Sequence, residues 1–212
     1  MTVADRPGSI DLPRLLAEDE RSQPALDASR AVVAHLLAAR SSGFTVRALA
    51  EVAGLSERTF YRYFPRKEDA VRPYLEAGLR LVVERVRSEP ADRPLREALE
   101  VAHAGVLDLA RGGDGEALLT VVYGEDRLRA VWLQVLADAE GAFAEVIASR
   151  LGVGPVQARL AGVAVVGAGR LALAAAGEGQ EPRAVFAACL DMLGAALFQR
   201  PAAGDLGGEE AT

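Results

Sequence analysis

From residue 25 onward the apolar positions return at intervals of three and four, and no stretch sustains the two-residue alternation of a half-buried strand. The pattern predicts an all-α chain. Leu26, Val33, Leu36 and Leu37 mark a first helix, closed by the loop RSSGF. Val46, Leu49, Ala50 and Ala53 mark a short second helix with Thr45 as N-cap, stopped by Gly54. A third runs from an N-cap Ser56 to about Tyr63, with Pro65 as its stop. Val71, Leu75, Leu79, Val82 and Val86 mark a longer fourth helix whose first turn carries Glu68 and Asp69, favourable at the positive end of a helix dipole. After a break at SEPADRP, residues 88–94, a fifth helix carries Leu95, Leu99, Ala102, Val106 and Leu109. A loop at RGGDG leads to a long amphipathic helix through Leu128, Trp132, Leu136, Phe143 and Ile147, ended near Gly152 and Gly154. Two more helices are expected at about 155–176 and 183–199, with GEGQEP between them.

The expected organisation is a flexible extension over residues 1–24, a small domain with its connecting helix over 25–87, a larger helical domain over 88–200 and a flexible tail over 201–212. Charge divides the same way. Residues 25–87 hold eleven Arg or Lys against seven Asp or Glu, whereas residues 88–212 hold ten against eighteen. A basic segment on a chain of net charge −6 suggests that this segment alone approaches a polyanion. The single Cys189, with only His35 and His103, supplies neither a disulfide nor a metal-ligand cluster, so no metal or other cofactor is expected. The N-terminus lacks the basic start and continuous apolar segment of a signal peptide, and the longest apolar run, 160–176, is interrupted by Arg170 and falls short of a bilayer span. The expectation is a cytoplasmic protein with no membrane partner.

One stretch invites an enzymatic reading. VAVVGAGRLALAAA, residues 163–176, contains Gly-x-Gly-x-x-Ala, the spacing of a turn that cradles a dinucleotide pyrophosphate. That fingerprint needs a strand before it and a parallel sheet around it, yet helical spacing precedes Gly167 and only 45 residues follow it. The simpler expectation is that Gly162, Gly167 and Gly169, with many Ala, let two helices approach closely, as in a tight bundle or a subunit interface. Neither His lies in a polar catalytic grouping, and the chain is not expected to be an enzyme.

The richest segment is TVRALAEVAGLSERTFYRYFPRKEDAV, residues 45–71. Two short helices meet at Ala53-Gly54-Leu55, the arrangement of a helix-turn-helix, and the second presents hydroxyls and guanidinium groups while Leu49, Ala50, Leu55, Phe60 and Phe64 supply a buried side. Such groups suit phosphate oxygens and the edges of bases in the major groove. In order and spacing, Thr45, Leu49-Ala50, Ala53-Gly54-Leu55-Ser56, Thr59-Phe60-Tyr61-x-Tyr63-Phe64 and Lys67-Glu68 resemble the N-terminal domain of the TetR family of transcriptional regulators. The resemblance is clear over residues 25–75; Trp132 and the segment SRLG at 149–152 carry a weaker one to C-terminal domains of the family. The chain departs from the family at Arg40 and Ser41, where a Gly and an aromatic are usual, and at Arg66, where a small polar residue is usual.

The resemblance implies double-stranded DNA as a partner. Thr45 and Arg47 would reach the backbone at the edge of the site. Ser56, Glu57, Arg58, Thr59 and Arg62 would lie at or beside the major groove, and Tyr61, Tyr63 and Lys67 would anchor phosphates. Two alternatives remain open, that Tyr63 is a half-buried aromatic and that Glu57 only caps its helix or repels misplaced phosphate. A single such module makes few contacts, so a symmetric pair reading two half-sites of a palindrome is expected, and Val185, Phe186, Cys189, Leu190, Leu193 and Leu197 form an apolar stripe that could pack with the Ala/Gly-rich helix before it into a four-helix interface with a second copy, or only within its own chain. The resemblance further implies a pocket for a small-molecule effector in the C-terminal domain. His103, Tyr123, Trp132, Phe143 and Arg170 are the candidates to line it; Arg170, inside an apolar helix, needs an acidic partner, a ligand anion or an exit to solvent. The expected function is a ligand-responsive repressor. The alternative is a DNA-binding protein of the same fold that is architectural or works through a protein partner, with a fully packed C-terminal domain.

Overall fold

The computed structural model describes residues 23–40, 43–111, 115–176, 178–194 and 197–198. Among these there is no strand. The helices are α1 (Gln23–Ala39), α2 (Val46–Val52), α3 (Glu57–Tyr63), α4 (Arg72–Ser88), α5 (Leu95–Arg111), α6 (Gly115–Gly124), α7 (Asp126–Leu151), α8 (Pro155–Ala176) and α9 (Pro182–Leu193), with a 3₁₀ turn at Lys67–Val71 ahead of α4.

Helix termini follow local chemistry. Thr45 caps α2 by accepting from the Ala48 amide at 3.2 Å, and Ser56 caps α3 by accepting from the Thr59 amide at 3.2 Å. Between them Gly54 sits at φ +66°, a backbone conformation that costs a side-chain-bearing residue energy, and this lets the chain reverse within three residues. Gly152 ends α7 in the same way, at φ +65° with its amide on the Ala148 carbonyl. At the end of α1, Arg40 takes a positive φ of 48°.

A small three-helix head is held by Val32 and Val33 of α1, Leu49 and Ala50 of α2, and Phe60 and Phe64 of and after α3, all buried. The two Phe rings meet edge-on with centroids 5.0 Å apart. This core continues through Val71 and Leu75 into that of the larger domain, where α4, α5, α7, α8 and α9 pack around Leu99, Val135, Ile147 and Leu190. At the far end, Arg150 donates to the carbonyls of Val86, Glu89, Pro90 and Arg93, closing the α4–α5 turn onto the end of α7.

The structure corrects several expectations. Glu68 and Asp69 lie in the 3₁₀ turn rather than in the first turn of α4, which begins at Arg72 with Pro73 as its early proline. Helix α6 was not expected. Helix α9 stops at Gly194, so Leu197 lies beyond it. Helix α1 begins at Gln23, two residues inside the extension expected over 1–24; the remainder of that extension, the tail at 201–212 and most of RGGDG lie outside the described residues. Within the chain, Gly162 makes the expected close helix contact: a methyl group there would stand 2.7 Å from the Glu140 carbonyl oxygen of α7, while a methyl at Gly167 or Gly169 would meet nothing within 4 Å. The Gly-x-Gly-x-x-Ala spacing sits inside one continuous helix, with no strand before it, which removes the dinucleotide reading. Helix α8 is long and apolar enough to cross a membrane by length and composition. Its Ala158, Ala161, Val165 and Ala172 are nonetheless buried inside the protein, which accounts for much of that apolarity.

Candidate nucleic-acid interface and effector cavity

Helix α3 divides its residues sharply. Phe60 points inward and is fully buried, while Glu57, Arg58, Tyr61 and Arg62 are exposed. Arg58 and Arg62 are one turn apart and project from the same side of the helix. Thr45 and Arg47 are exposed at the start of α2. The outward surface of the head thus carries guanidinium, phenol and hydroxyl groups over an apolar base, the composition that suits phosphates and base edges.

Some of these side chains already have work within the fold. Ser56 Oγ lies 2.9 Å from Thr59 Oγ1 as well as capping α3, so both hydroxyls serve the helix terminus and Thr59 is half-buried. Tyr63 is half-buried beneath the Arg62 guanidinium, whose carbon is 5.2 Å from its ring centroid. Lys67 donates to the Phe44 carbonyl at 3.1 Å and ties the 3₁₀ turn to the connection before α2. One ammonium has three protons, so this bond leaves two for a phosphate. Arg66 grips Asp69 through two side-chain hydrogen bonds of 3.1 and 2.7 Å, and the Asp69 carboxylate also accepts from the Arg66 amide. The unusual Arg at this position is therefore held by its own turn, and the carboxylate beside it raises the guanidinium pKa, chiefly through the hydrogen bond.

Between α4, α5, α7, α8 and α9 lies a cavity of about 160 Å³ with an almost wholly apolar wall. Leu75, Leu79 and Val82 of α4 form one side, Leu136 of α7 and Val166 of α8 another. Four of the five expected lining residues meet here: His103, Trp132, Phe143 and Arg170. The fifth, Tyr123, does not line it. Its hydroxyl instead accepts from Trp132 Nε1 at 3.3 Å and so positions the indole. Arg170 resolves its burial problem by the exit to solvent: it is exposed at the cavity rim. His103 is 9% exposed, its ring stacks on Phe186 with centroids 4.0 Å apart, and Nε2 is buried without a hydrogen-bond partner. Burial pushes the imidazole pKa down to about 4, with repulsion from the nearby Arg183 guanidinium adding to it, so His103 is neutral at pH 7.

Most of the apolar stripe on α9 packs within its own chain, while Leu193 is exposed. Phe186, Cys189 and Leu190 are buried in their own chain, and Leu197 packs against the same core. On the preceding helix, α8, Val156, Leu160, Val163 and Leu171 are exposed, and Met192 of α9 is 78% exposed. Among the described residues no group of three or more His, Cys, Asp or Glu is placed to hold a metal ion.

Residues 34–72, from the second half of α1 to the start of α4, match the sequence model of "Bacterial regulatory proteins, tetR family". No curated protein matches the chain.

Proposed function

We propose, from the match of residues 34–72 to the model of the tetR family of bacterial regulatory proteins, that the protein is a DNA-binding regulator of transcription, a cytoplasmic homodimeric repressor that releases a palindromic operator when a small molecule fills its cavity. Arg58 and Arg62 read base edges from α3, Tyr61 and Lys67 hold phosphates, and Thr45 and Arg47 contact the backbone at the edge of the site.

The observation that carries the effector reading is the double role of α4. This one helix lines the cavity through Leu75, Leu79 and Val82, and its first turn continues directly from the head through the 3₁₀ turn. Two ion pairs bind the same junction to α7: Arg72 with Asp138, and Glu68 with Arg127 at 3.6 Å. An occupant that wedges α4 from α7 alters the stance of the head. It releases DNA only to the extent that it prefers the released arrangement. The open cavity favours this reading over the effector-independent alternative, which expected a packed domain.

The exposed strip on α8 supports a two-fold pairing. Val156 and Leu160 are 81% and 60% exposed, an apolar surface that a second copy would cover. Sedimentation tests this: the native chain is expected to run as a dimer, and Leu160→Asp as a folded monomer with operator affinity lowered more than tenfold. A native monomer, or a variant that remains dimeric, contradicts the assigned face.

A further inference from the structure

The cavity wall is almost wholly apolar, and His103 is a buried polar side chain within it. His103 Nε2 is buried, faces no partner among the described residues, and belongs to a side chain that lines the cavity. A buried polar atom left without a hydrogen bond is costly, and a bound molecule that supplies one regains that loss. Resting on the effector reading above, we propose that the cavity selects a neutral, single-ring apolar molecule bearing one hydroxyl group, which hydrogen-bonds to His103 Nε2.

Size supports a single ring. The cavity volume of about 160 Å³ is close to the ~150 Å³ of an apolar protein cavity that takes up benzene. The hydroxyl follows from the imidazole. A neutral imidazole offers a donor at one nitrogen and an acceptor at the other, and a hydroxyl can meet Nε2 in either tautomer, whereas a carbonyl can meet it only as N–H. Neutrality follows from the surroundings. A carboxylate at this depth would lose its hydration against a neutral ring, and an ammonium would add a charge beside the Arg183 guanidinium that already disfavours imidazolium. Arg170, at the solvent-exposed rim, is too well hydrated to draw an anion inward. Phe186, stacked on the His103 ring, holds the imidazole plane and so the direction of the bond.

The probes are ethylbenzene, 4-ethylphenol and 4-ethylbenzoate, titrated into the full chain and read by emission of Trp132, the single tryptophan, which lines the cavity. Expected is saturable binding of 4-ethylphenol, about tenfold tighter than ethylbenzene as one buried hydrogen bond allows, with 4-ethylbenzoate weakest. In His103→Leu the preference for the phenol over ethylbenzene disappears. Equal affinity of phenol and hydrocarbon in the native chain, tightest binding of the benzoate, no binding of any probe, or a preference that survives His103→Leu each overturns the proposal. The native comparison needs no variant to fold. The effector reading is scored separately by adding 4-ethylphenol to the operator complex: binding with the predicted preference but without DNA release supports the site and overturns only that reading.

Discussion

Arg72, in the first turn of α4, is paired with Asp138 in the middle of α7, 66 positions away in the chain, and the same guanidinium holds Glu76 one turn along α4. The pair joins the helix that follows the head to the helix that carries Trp132 and Leu136 into the cavity wall. Both partners are partly exposed, so their contribution to stability is small, below about 1 kcal/mol. Their expected effect is on the stance of the head. Asp138→Asn is expected to leave thermal unfolding nearly unchanged while weakening operator binding severalfold, measured by anisotropy of a labelled duplex. Unchanged affinity would show that the junction is fixed by apolar packing alone.

Within the head, substitutions are expected to separate into two kinds. Arg58→Ala and Arg62→Ala should weaken the operator by about 1–3 kcal/mol and relax preference at particular base pairs. Lys67→Ala should weaken all sequences alike and flatten the salt dependence by about one unit of slope. Because Lys67 also holds the Phe44 carbonyl, this variant should lose a little stability as well. A site-selective loss in Lys67→Ala, or none in both Arg variants, would reverse these roles.

Gly162 and Gly167 make a matched pair on α8. A methyl at Gly162 meets backbone atoms of α7, Glu140 O at 2.7 Å and Ala144 N at 3.0 Å, so the helices must separate. Gly162→Ala is expected to cost about 1–3 kcal/mol in urea unfolding. Gly167→Ala meets nothing in its own chain and should be neutral or slightly stabilising through helix propensity. Equal effects at the two positions would contradict the observed packing.

His103 gives the fold a pH dependence. Its unfolded imidazole titrates near 6.5 and its folded one at about 4. Between those values the unfolded chain binds more protons, so stability is fully present above about 6.5 and falls as pH drops toward 4, by up to about 3 kcal/mol. Urea unfolding at several pH values should show this acid loss reduced in His103→Leu; parallel profiles for variant and native chain would place the sensitivity elsewhere.

The head was legible in the sequence because each of its features is local. Thr45 and Ser56 cap the helices they precede, Gly54 takes the left-handed turn, and Phe60 and Phe64 fall one turn apart. Four cavity residues were also legible, since large or charged side chains stand out in an Ala-rich domain. What failed depended on neighbours. Helix α6 holds Thr120, Val121 and Val122 and ends at Gly124, so its local preferences argue against the helix that packing imposes. Helix α8 is apolar around most of its circumference, and periodicity could not tell its buried face from the strip it exposes. Tyr123 has the character of a cavity residue, but its place one turn before α7 sends it to the Trp132 indole instead. The role of Arg150 could not be read at all, because its four carbonyl partners lie some sixty positions away.

On the proposed function, two copies of this head read DNA by sequence. Selection from random duplex DNA with the purified full-length chain, followed by sequencing of what is retained at moderate salt, tests it most directly. Enrichment of a palindrome whose half-sites lie about one helical turn apart or slightly more is expected. Retention of DNA without a shared motif, or enrichment of a single unpaired half-site, would contradict it.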